Sequence, residues 1–436
     1  MVTFDGGVTE AVVCQRPDRY RFVEADLGDQ PRIARGGGYS YAAASFGGGS
    51  IVQDLRRFNR ILRFDPEART IEVEAGTTLA EVLEVTSRAD LCLPVQPGYP
   101  AITIGGCIAA NVHGKNPARE GTFVDCVADL TMFHPAYGLI RIGAGDSSGI
   151  LELTCGGYGL TGVILAATLS LRPLTGHRVA VRRIRVSDLG ESARLVEELS
   201  AENTFAYSWH DAVPRPRTFG RGFVFQGSMV GGSSPTGRVV PSYRPLTLEG
   251  RARLPFSFFG SLTSRALISA YWMAERSRPA MGETSVFDAM FPFARRSAYF
   301  RLFGRPGLAE CQILVPSDDV SGFLRDVQHL LFSLRPPSLM MSLKAFRGRG
   351  RLLRFDGNGI CVTLDLQRSP STLDFLRRLD QLTVAAGGIP SIIKDSRLPA
   401  SVVRACYPEY EQFRSRLQAL DPARLFRSEL SNRLGL

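Results

Sequence analysis

The sequence predicts an α+β protein built from two folding units. Short β-like runs alternate with helical patterns through the first 175 residues, and the spacing of apolar and aromatic residues changes from there to about residue 390. A chain of 436 residues also exceeds what one hydrophobic core usually serves. We therefore expect two units, which the chain is free to interleave.

The elements of the first unit can be followed in order. A short helix is expected near the N-terminus, and PRIARGGGYSY predicts a strand that runs into a glycine turn. The β-like runs SIVQDL, ILRFD and TIEVEAG precede TTLAEVLEVTSRA, in which Thr77 or Thr78 can cap a helix. The apolar face of that helix would carry Leu79, Val82 and Leu83. LIRI, TCGGYGLTGVILAATLSLRPL and VAVRRIRVS are expected to complete the unit near residue 175.

The second unit alternates strands and helices, among them GRGFVFQGSMV, AECQILVP, VSGFLRDVQHLLFSL and GICVTLDLQ. Glycine, proline and serine crowd GGSSPTGRVVPSYRP, which predicts a loop at 231–245. The tail EYEQFRSRLQALDPARLF has a helical period and is expected to end its helix at the Asp-Pro pair.

Charge and cysteine usage narrow the functional classes. The net charge of +10 is spread over short clusters such as VRRIRV and FRGRGRLLR, which disfavours nucleic acid and fits a phosphate-bearing or lipid-linked substrate. Eight scattered cysteines without a CxxC pair and five histidines without ligand spacing indicate neither a disulfide framework nor a metal site.

The ends and the hydropathy of the chain bear on its location. The first residues lack a basic segment followed by an apolar one, and no stretch approaches 18 uninterrupted apolar residues. We expect a cytoplasmic protein whose basic surface allows peripheral contact with the inner face of the membrane.

Only three of the 52 basic residues are lysines, Lys115, Lys344 and Lys394. Arginine keeps its proton in proteins, whereas the pKa of a lysine falls readily when its ammonium is desolvated. The three lysines are therefore candidates for chemistry. The alternative is codon drift that leaves a few lysines at indifferent surface positions.

Three glycine-rich segments are candidates for binding a cofactor. ARGGGYSY offers backbone amides that can approach a phosphate, although a tight surface turn explains it equally well. It lacks the glycine spacing of the Rossmann fingerprint. In PGYPAITIGGCIAANVHGKN, small residues permit a flat cofactor to lie against the backbone, and CGGYGLTGV supplies a third turn.

These segments, in this order, resemble the PCMH-type FAD-binding domain of the vanillyl-alcohol-oxidase superfamily. Within it the chain is most similar to the decaprenylphosphoryl-β-D-ribose 2'-oxidase family, from about residue 10 to the C-terminus. The similarity includes RGGGYSY, TIGGCIAANVHGKN, GGYGLTG, FAYSWHDA, CQILVP, SLKAF, GICVTLD and IIKDSRLP. It implies a two-subdomain FAD-binding domain at 1–175, an inserted α+β substrate (cap) domain on an antiparallel sheet at 176–390, and a C-terminal segment at 391–436 that returns to the FAD domain.

The resemblance also implies site residues. The FAD-binding positions are Arg35, Gly36, Gly37, Gly38, Tyr39, Ser40, Tyr41, Pro97, Gly98, Thr103, Gly105, Gly106, Cys107, Ala110, Asn111, His113, Gly114, Asn116, Gly157, Gly159, Gly162, Val163 and Lys394. The catalytic positions are Lys394, His113 and Cys361, and the substrate-binding positions are Lys115, Gln312, Lys344, Cys361 and Tyr41. The alternatives are a histidine at 113 whose hydrogen bonds are satisfied within the protein, an inert buried thiol at 361, and surface positions for Lys344 and Gln312.

The implied activity is FAD-dependent oxidation of a secondary hydroxyl of a pentose-like sugar to a ketone, where the sugar is phosphate- or polyprenyl-phosphate-linked. The cofactor takes a hydride at N5 while an enzyme base takes the hydroxyl proton. Lys394 is either a cation beside the flavin or, when neutral, that base. The reaction would be the oxidative half of a 2'-epimerisation in cell-wall, glycan or antibiotic biosynthesis, which an NAD(P)H-dependent reductase partner completes.

Departures from the family pattern qualify these expectations. Tyr39 stands where many flavoproteins of the superfamily carry the flavin-linking histidine of RGxGHS, so we expect non-covalent FAD. Gly359, Ser391 and SYAA replace a family asparagine, a tyrosine and SYGD, which suggests a different sugar or carrier. An alditol or aldonolactone oxidase that uses oxygen and a non-catalytic scaffold for a reductase are the alternative functions.

Overall fold

The computed structural model describes residues 1–24, 27–143, 145–231, 239–243, 245, 254–295 and 298–436. Its strands, β1 to β18 in chain order, are Val13–Gln15, Arg32–Arg35, Ile51–Asp54, Ile61–Asp65, Thr70–Glu74, Leu91–Cys92, Val127–His134, Gly138–Gly143, Val163–Ser170, Arg172–Pro173, Arg178–Val186, Phe205–Asp211, Gly222–Val230, Met281–Ser285, Leu308–Val315, Ser338–Arg347, Asn358–Gln367 and Ile389–Pro390. Its helices, α1 to α14, are Tyr20–Val23, Leu79–Thr86, Ile104–Ala110, Pro117–Glu120, Ile150–Thr154, Leu189–Ser200, Ser261–Arg276, Val286–Met290, Ala298–Arg301, Val320–Leu334, Pro370–Ala385, Ala400–Cys406, Tyr410–Leu420 and Glu429–Leu434. Most of the predicted loop at 231–245 lies outside the described residues.

Two sheets organise the N-terminal part of the chain. A parallel sheet has the order β1-β3-β2, and an antiparallel sheet has the order β4-β5-β9-β7-β8. Thr78 is the N-cap of α2 and forms a reciprocal capping box with Glu81, while Leu79, Val82 and Leu83 are buried. The predicted helix and its apolar face are thus confirmed.

The largest sheet has eight strands in the order β14-β11-β13-β12-β16-β17-β15-β18, and all of its neighbouring strands are antiparallel. The predicted α+β class with a large antiparallel sheet is confirmed. One expectation was wrong, because VAVRRIRVS forms most of β11, which pairs with β13 and β14 in this sheet rather than completing the N-terminal unit. Strand pairing depends on distant partners, which the segment itself does not reveal.

The two faces of the eight-stranded sheet differ around β15, β16 and β17. Ile313, Leu343 and Val362 are register neighbours, and all three belong to the buried apolar cluster that includes residues of α6, α10 and α11. Because side chains alternate along a strand, Lys344 and its partner Cys361 point to the opposite face. That opposite face carries the polar side chains of the candidate site.

The C-terminal helices pack onto the N-terminal residues. Phe413 of α13 and Leu430 of α14 lie in one buried cluster with Ile33 of β2 and Phe46. The C-terminal segment therefore contacts the region that holds the first glycine turn. The domain boundaries at residues 175 and 390 stay predictions.

Candidate active site

A partly buried carboxylate connects three distant parts of the chain. Glu310 on β15 receives Lys394 Nζ at 3.0 Å and the side-chain amide of Gln312 at 2.8 Å, both on Oε1. The Tyr41 hydroxyl donates to its Oε2 at 3.1 Å. Lys394 Nζ also lies 4.3 Å from the centre of the Tyr41 ring. We call Tyr41, Glu310, Gln312 and Lys394 the Glu310 network.

His113 extends this network toward the second glycine-rich segment. Its Nε2 lies 3.3 Å from Gln312 Oε1, and its Nδ1 lies 3.0 Å from the Gly114 carbonyl. Burial, and secondarily the charge of Lys344, lower the pKa of His113 to about 3. The neutral ring carries one N–H, whereas both of its nitrogens face acceptor oxygens. A hydrogen-bond donor on a bound molecule can therefore pair with the ring nitrogen that lacks the proton.

A second carboxyl lies beside the first. Burial, and then the charge of Glu310, raise the pKa of Asp365 to about 7, and the Tyr299 hydroxyl donates to its Oδ2 at 2.6 Å. Burial also raises the pKa values of Tyr41 and Tyr299 well above the ordinary tyrosine value. Both hydroxyls are therefore donors at neutral pH.

Sequence reasoning missed Glu310, Asp365 and Tyr299. The available signal was an acid within each of two apolar strand segments, AECQILV and GICVTLDL. Each acid lies on the same strand face as a residue that was predicted, since Glu310 is two positions before Gln312 and Asp365 four positions after Cys361.

Lys344 and Cys361 are direct neighbours on β16 and β17. Burial lowers the pKa of the Lys344 amine, and the charge of nearby Lys394 adds to that effect. Burial raises the pKa of the Cys361 thiol to about 11, and its Sγ lies 3.8 Å from Thr363 Oγ1. At neutral pH Cys361 is a neutral thiol.

Lys115 lies in a different environment. Its Nζ is 4.9 Å from the ring centre of Phe205 and 5.3 Å from that of Tyr207. It lines a cavity of about 280 Å³ whose walls also include Trp209 and Arg183, but neither Lys344 nor Lys394.

Helix α3 lies between the first and third glycine-rich segments. At Gly36 a Cβ atom would stand only 2.1 Å from Thr103 Oγ1, just before α3 begins. In the third segment, the Gly156 and Tyr158 amides donate to the carbonyls of Ile108 and Ala109 near the end of α3. The fold thus brings all three predicted segments together.

The chemistry of these segments fits a dinucleotide. The hydroxyls of Thr103 and Thr161 are buried and have no hydrogen-bond partner among the described residues, so a ligand can supply one. Gly38, with φ of +75°, and Gly36 keep the first turn free of side chains. The other predicted FAD-binding residues on the three segments are Arg35, Gly37, Tyr39, Ser40, Pro97, Gly98, Gly105, Gly106, Ala110, Gly114, Asn116, Gly157, Gly159 and Gly162.

Several predicted FAD-binding side chains have partners within the protein. Cys107 and Val163 belong to buried apolar clusters. The Asn111 side chain donates to Thr122 Oγ1 at 3.0 Å and accepts from the Val124 amide at 2.9 Å. These positions support the backbone of the segments, and a direct contact with FAD stays a prediction for them.

Two departures from the family pattern have a structural basis here. Gly359 has φ of +154°, and a Cβ atom there would lie 2.0 Å from the Val315 carbonyl. This backbone therefore excludes a side chain at 359. Ser391 is buried, and its amide donates to the Gln312 carbonyl at 2.8 Å, next to the Glu310 network.

Fold and site together define an FAD-dependent oxidoreductase of the sugar-oxidase class. Residues 23–143 match the family model described as an FAD binding domain, which confirms the predicted PCMH-type domain and its cofactor. The predicted resemblance is also confirmed, since the chain is 27% identical over 423 residues to the decaprenylphosphoryl-beta-D-ribose oxidase of Mycolicibacterium smegmatis. That alignment covers 94% of this chain and 91% of the relative.

Two other relatives differ in how much of this chain they match. An uncharacterised protein of Streptomyces coelicolor is 28% identical over 82% of this chain and its own full length. A probable L-gulonolactone oxidase of Arabidopsis thaliana is 28% identical over 31% of this chain and 25% of the relative. Similarity to the ribose oxidase thus extends beyond the cofactor domain, whereas similarity to the gulonolactone oxidase covers about a third of the chain.

Proposed function

We propose that this enzyme uses FAD to oxidise a secondary hydroxyl of a pentose-like sugar, linked to a phosphate or polyprenyl phosphate, to a ketone. The observation that carries the proposal is the Glu310 network, which joins the first glycine-rich turn, the eight-stranded sheet and Lys394 around one polar site. Similarity over 94% of the chain to an oxidase named for decaprenylphosphoryl ribose supports the substrate class.

The protein's own residues would bind and orient the reactants. Bound FAD supplies the hydride acceptor. The glycine turns and Thr103 would hold the dinucleotide, and Lys394 would place positive charge at the site. His113 and Gln312 have hydrogen-bonding capacity to fix a sugar hydroxyl. Lys344 and Cys361 would form the wall of the sugar pocket.

The proposed domain division follows the sheets. Residues 1–175 would form the FAD-binding domain and 176–390 the substrate domain, which contains all strands of the eight-stranded sheet. Residues 391–436 would return to the FAD domain, as the packing of Phe413 and Leu430 against Ile33 supports. Lys394 would then reach the site from the segment that links the two domains.

The sugar or its carrier would differ from decaprenylphosphoryl ribose. The expected asparagine and tyrosine side chains are absent at Gly359 and Ser391, so the pocket has fewer hydrogen-bond donors. The net charge of +10 favours an anionic substrate. The ketone product would pass to an NAD(P)H-dependent reductase partner, because an epimerisation requires hydride return to the opposite face.

We also propose a cytoplasmic location with peripheral contact to anionic lipid. None of the helices in the described ranges has the length and apolar character needed to cross a bilayer. Helix α7, however, exposes Leu262 and Met273, with 74% and 60% of their surface accessible, and carries exposed Arg265 and Arg276. Apolar side chains beside arginines suit the interface of an anionic membrane.

Vesicle sedimentation tests this surface. The protein should sediment with vesicles of anionic lipid and not with zwitterionic ones, and Leu262→Ser with Met273→Ser should reduce the bound fraction. If the double variant binds anionic vesicles as well as the wild type does, the proposed membrane contact of α7 is wrong. If the double variant instead loses binding to a reductase, this surface contacts a protein partner.

A soluble aldonolactone oxidase that uses oxygen is the second candidate, and the gulonolactone oxidase similarity over 31% of this chain favours it. Anaerobic mixing with pentose phosphates, polyprenyl-phosphate pentoses and free aldonolactones separates the two. We expect bleaching of the visible flavin absorbance only with the phosphate-linked pentoses. Bleaching by aldonolactones, with hydrogen peroxide formed in air, would establish the second candidate instead.

A further inference from the structure

The two lysines nearest the candidate site have unlike surroundings. Lys394 Nζ forms an ion pair with Glu310 at 3.0 Å. Lys344 has no carboxylate in ion-pair contact among the described residues. The ionisable groups that act on it are Cys361 across the strand, Lys394 and Glu310 from the network, and His113 from the second glycine-rich segment.

These surroundings favour different charge states. Lys394 Nζ is in direct contact with the carboxylate of Glu310. Lys344 is desolvated, sits beside a neutral thiol and is repelled by Lys394, so its neutral amine is favoured. A pair of ionisable groups with divergent environments is the usual arrangement for dividing acid and base roles.

We propose that Lys344 accepts the hydroxyl proton of the sugar, while Lys394 stays paired with Glu310. This inference rests on the proposed function. In the step, the O–H bond would break and its proton would go to Lys344 Nζ, while the C–H hydrogen would leave with two electrons to the acceptor that bound FAD supplies, and the C–O bond would become a carbonyl. The alcohol would thus lose two electrons and two protons, and the Lys344 amine would become an ammonium.

The composition of the chain makes the charge of each lysine measurable. Because there are only three lysines, ¹³Cε-lysine labelling gives three signals, which Lys115→Met, Lys344→Met and Lys394→Met assign. If one variant fails to fold, the other two assign its signal by elimination. In the FAD-bound protein, we expect the Lys344 signal to titrate below the ordinary lysine value of about 10.4. A Lys344 ammonium throughout neutral and mildly alkaline pH would overturn the proposal.

The rate of anaerobic flavin reduction by substrate supplies the second test. We expect wild-type rates to fall at low pH with an inflection at the Lys344 titration. Lys344→Met should reduce the rate about 10²- to 10⁴-fold, abolish that inflection and respond to added methylamine. Lys394→Met should also be slower but keep the inflection. If Lys344→Met retains the inflection, the base is another group.

The two measurements separate the proposals. If no sugar reduces the flavin, the proposed function fails, whatever the NMR titration shows. If sugars reduce the flavin but Lys344 stays protonated, the function stands and the assignment of the base is wrong.

Discussion

Lys394 Nζ lies 3.0 Å from Glu310 Oε1, so the one lysine of the KDSR segment is held by a carboxylate from the eight-stranded sheet. The exposed fraction is 29% for the lysine side chain and 10% for the glutamate side chain, so solvent only partly screens the pair. This pair fixes where the C-terminal segment places its positive charge. It also gives a partner to the acid on the sheet face that carries Lys344 and Cys361.

The first prediction concerns the stability of this pair. Glu310→Gln should lower the free energy of unfolding by about 1–3 kcal/mol, because three donors lose a charged acceptor. Urea denaturation measures the change. Glu411→Gln is the matched control, since Glu411 pairs with Arg404 at an exposed position and should change stability by less than about 0.5 kcal/mol. Equal effects of the two substitutions would show that the network does not stabilise the fold.

The pH dependence of stability tests Asp365. Its pKa is raised to about 7, so the folded protein holds a proton there that the unfolded chain releases near pH 4. Asp365 therefore lowers stability as pH rises from about 4 to 7, by up to about 1.4 kcal/mol per pH unit. Asp365→Asn, which can still accept from Tyr299, should remove that loss.

Urea midpoints at pH 4.5 and pH 8 give the comparison. We expect the asparagine variant to gain stability over the wild type at the higher pH. A difference between the two proteins that is the same at both pH values would show that Asp365 titrates normally.

A third prediction concerns the first glycine turn. Gly36→Ala places a Cβ atom where Thr103 Oγ1 lies, so the turn must shift and we expect less FAD per mole of purified protein. Gly322→Ala, at a helical position with open space, is the control and should retain full FAD. The ratio of visible to ultraviolet absorbance reports the content. Full flavin occupancy in Gly36→Ala would argue that the turn does not contact the cofactor.

Attachment of the flavin can be tested by acid precipitation. Tyr39 occupies the histidine position of the covalent flavoproteins, and its ring packs 4.9 Å from that of Tyr99. All yellow colour should therefore remain in the supernatant after the protein precipitates. Flavin in the pellet would reveal a covalent link through another side chain.

The sequence was most informative where function requires rare residue types. The scarcity of lysine drew attention to Lys394 and Lys344, and the glycine runs predicted segments that converge on α3. Glu310 and Asp365 were missed because an acid in a strand usually faces solvent. Their partial burial follows from strand register and from the N-terminal segment whose Tyr41 contacts Glu310, which are long-range properties.

Other differences also arise from tertiary structure. Lys115 lies over Phe205 and Tyr207, although it is only two residues from His113, because neighbouring residues can face different cavities. The glycine at 359 seemed only to remove an amide, yet the backbone conformation there excludes any side chain. Neither result could be obtained from residue types and spacing alone.

We propose that Lys394, within the Glu310 network, serves FAD-dependent oxidation of a sugar. The most direct test is anaerobic bleaching of bound flavin by a phosphate-linked pentose in wild type and in Lys394→Ala. We expect the variant to retain FAD but its flavin to be reduced at least about 100-fold more slowly, because a fixed charge at the reacting centre is lost. Bleaching at the wild-type rate would contradict it.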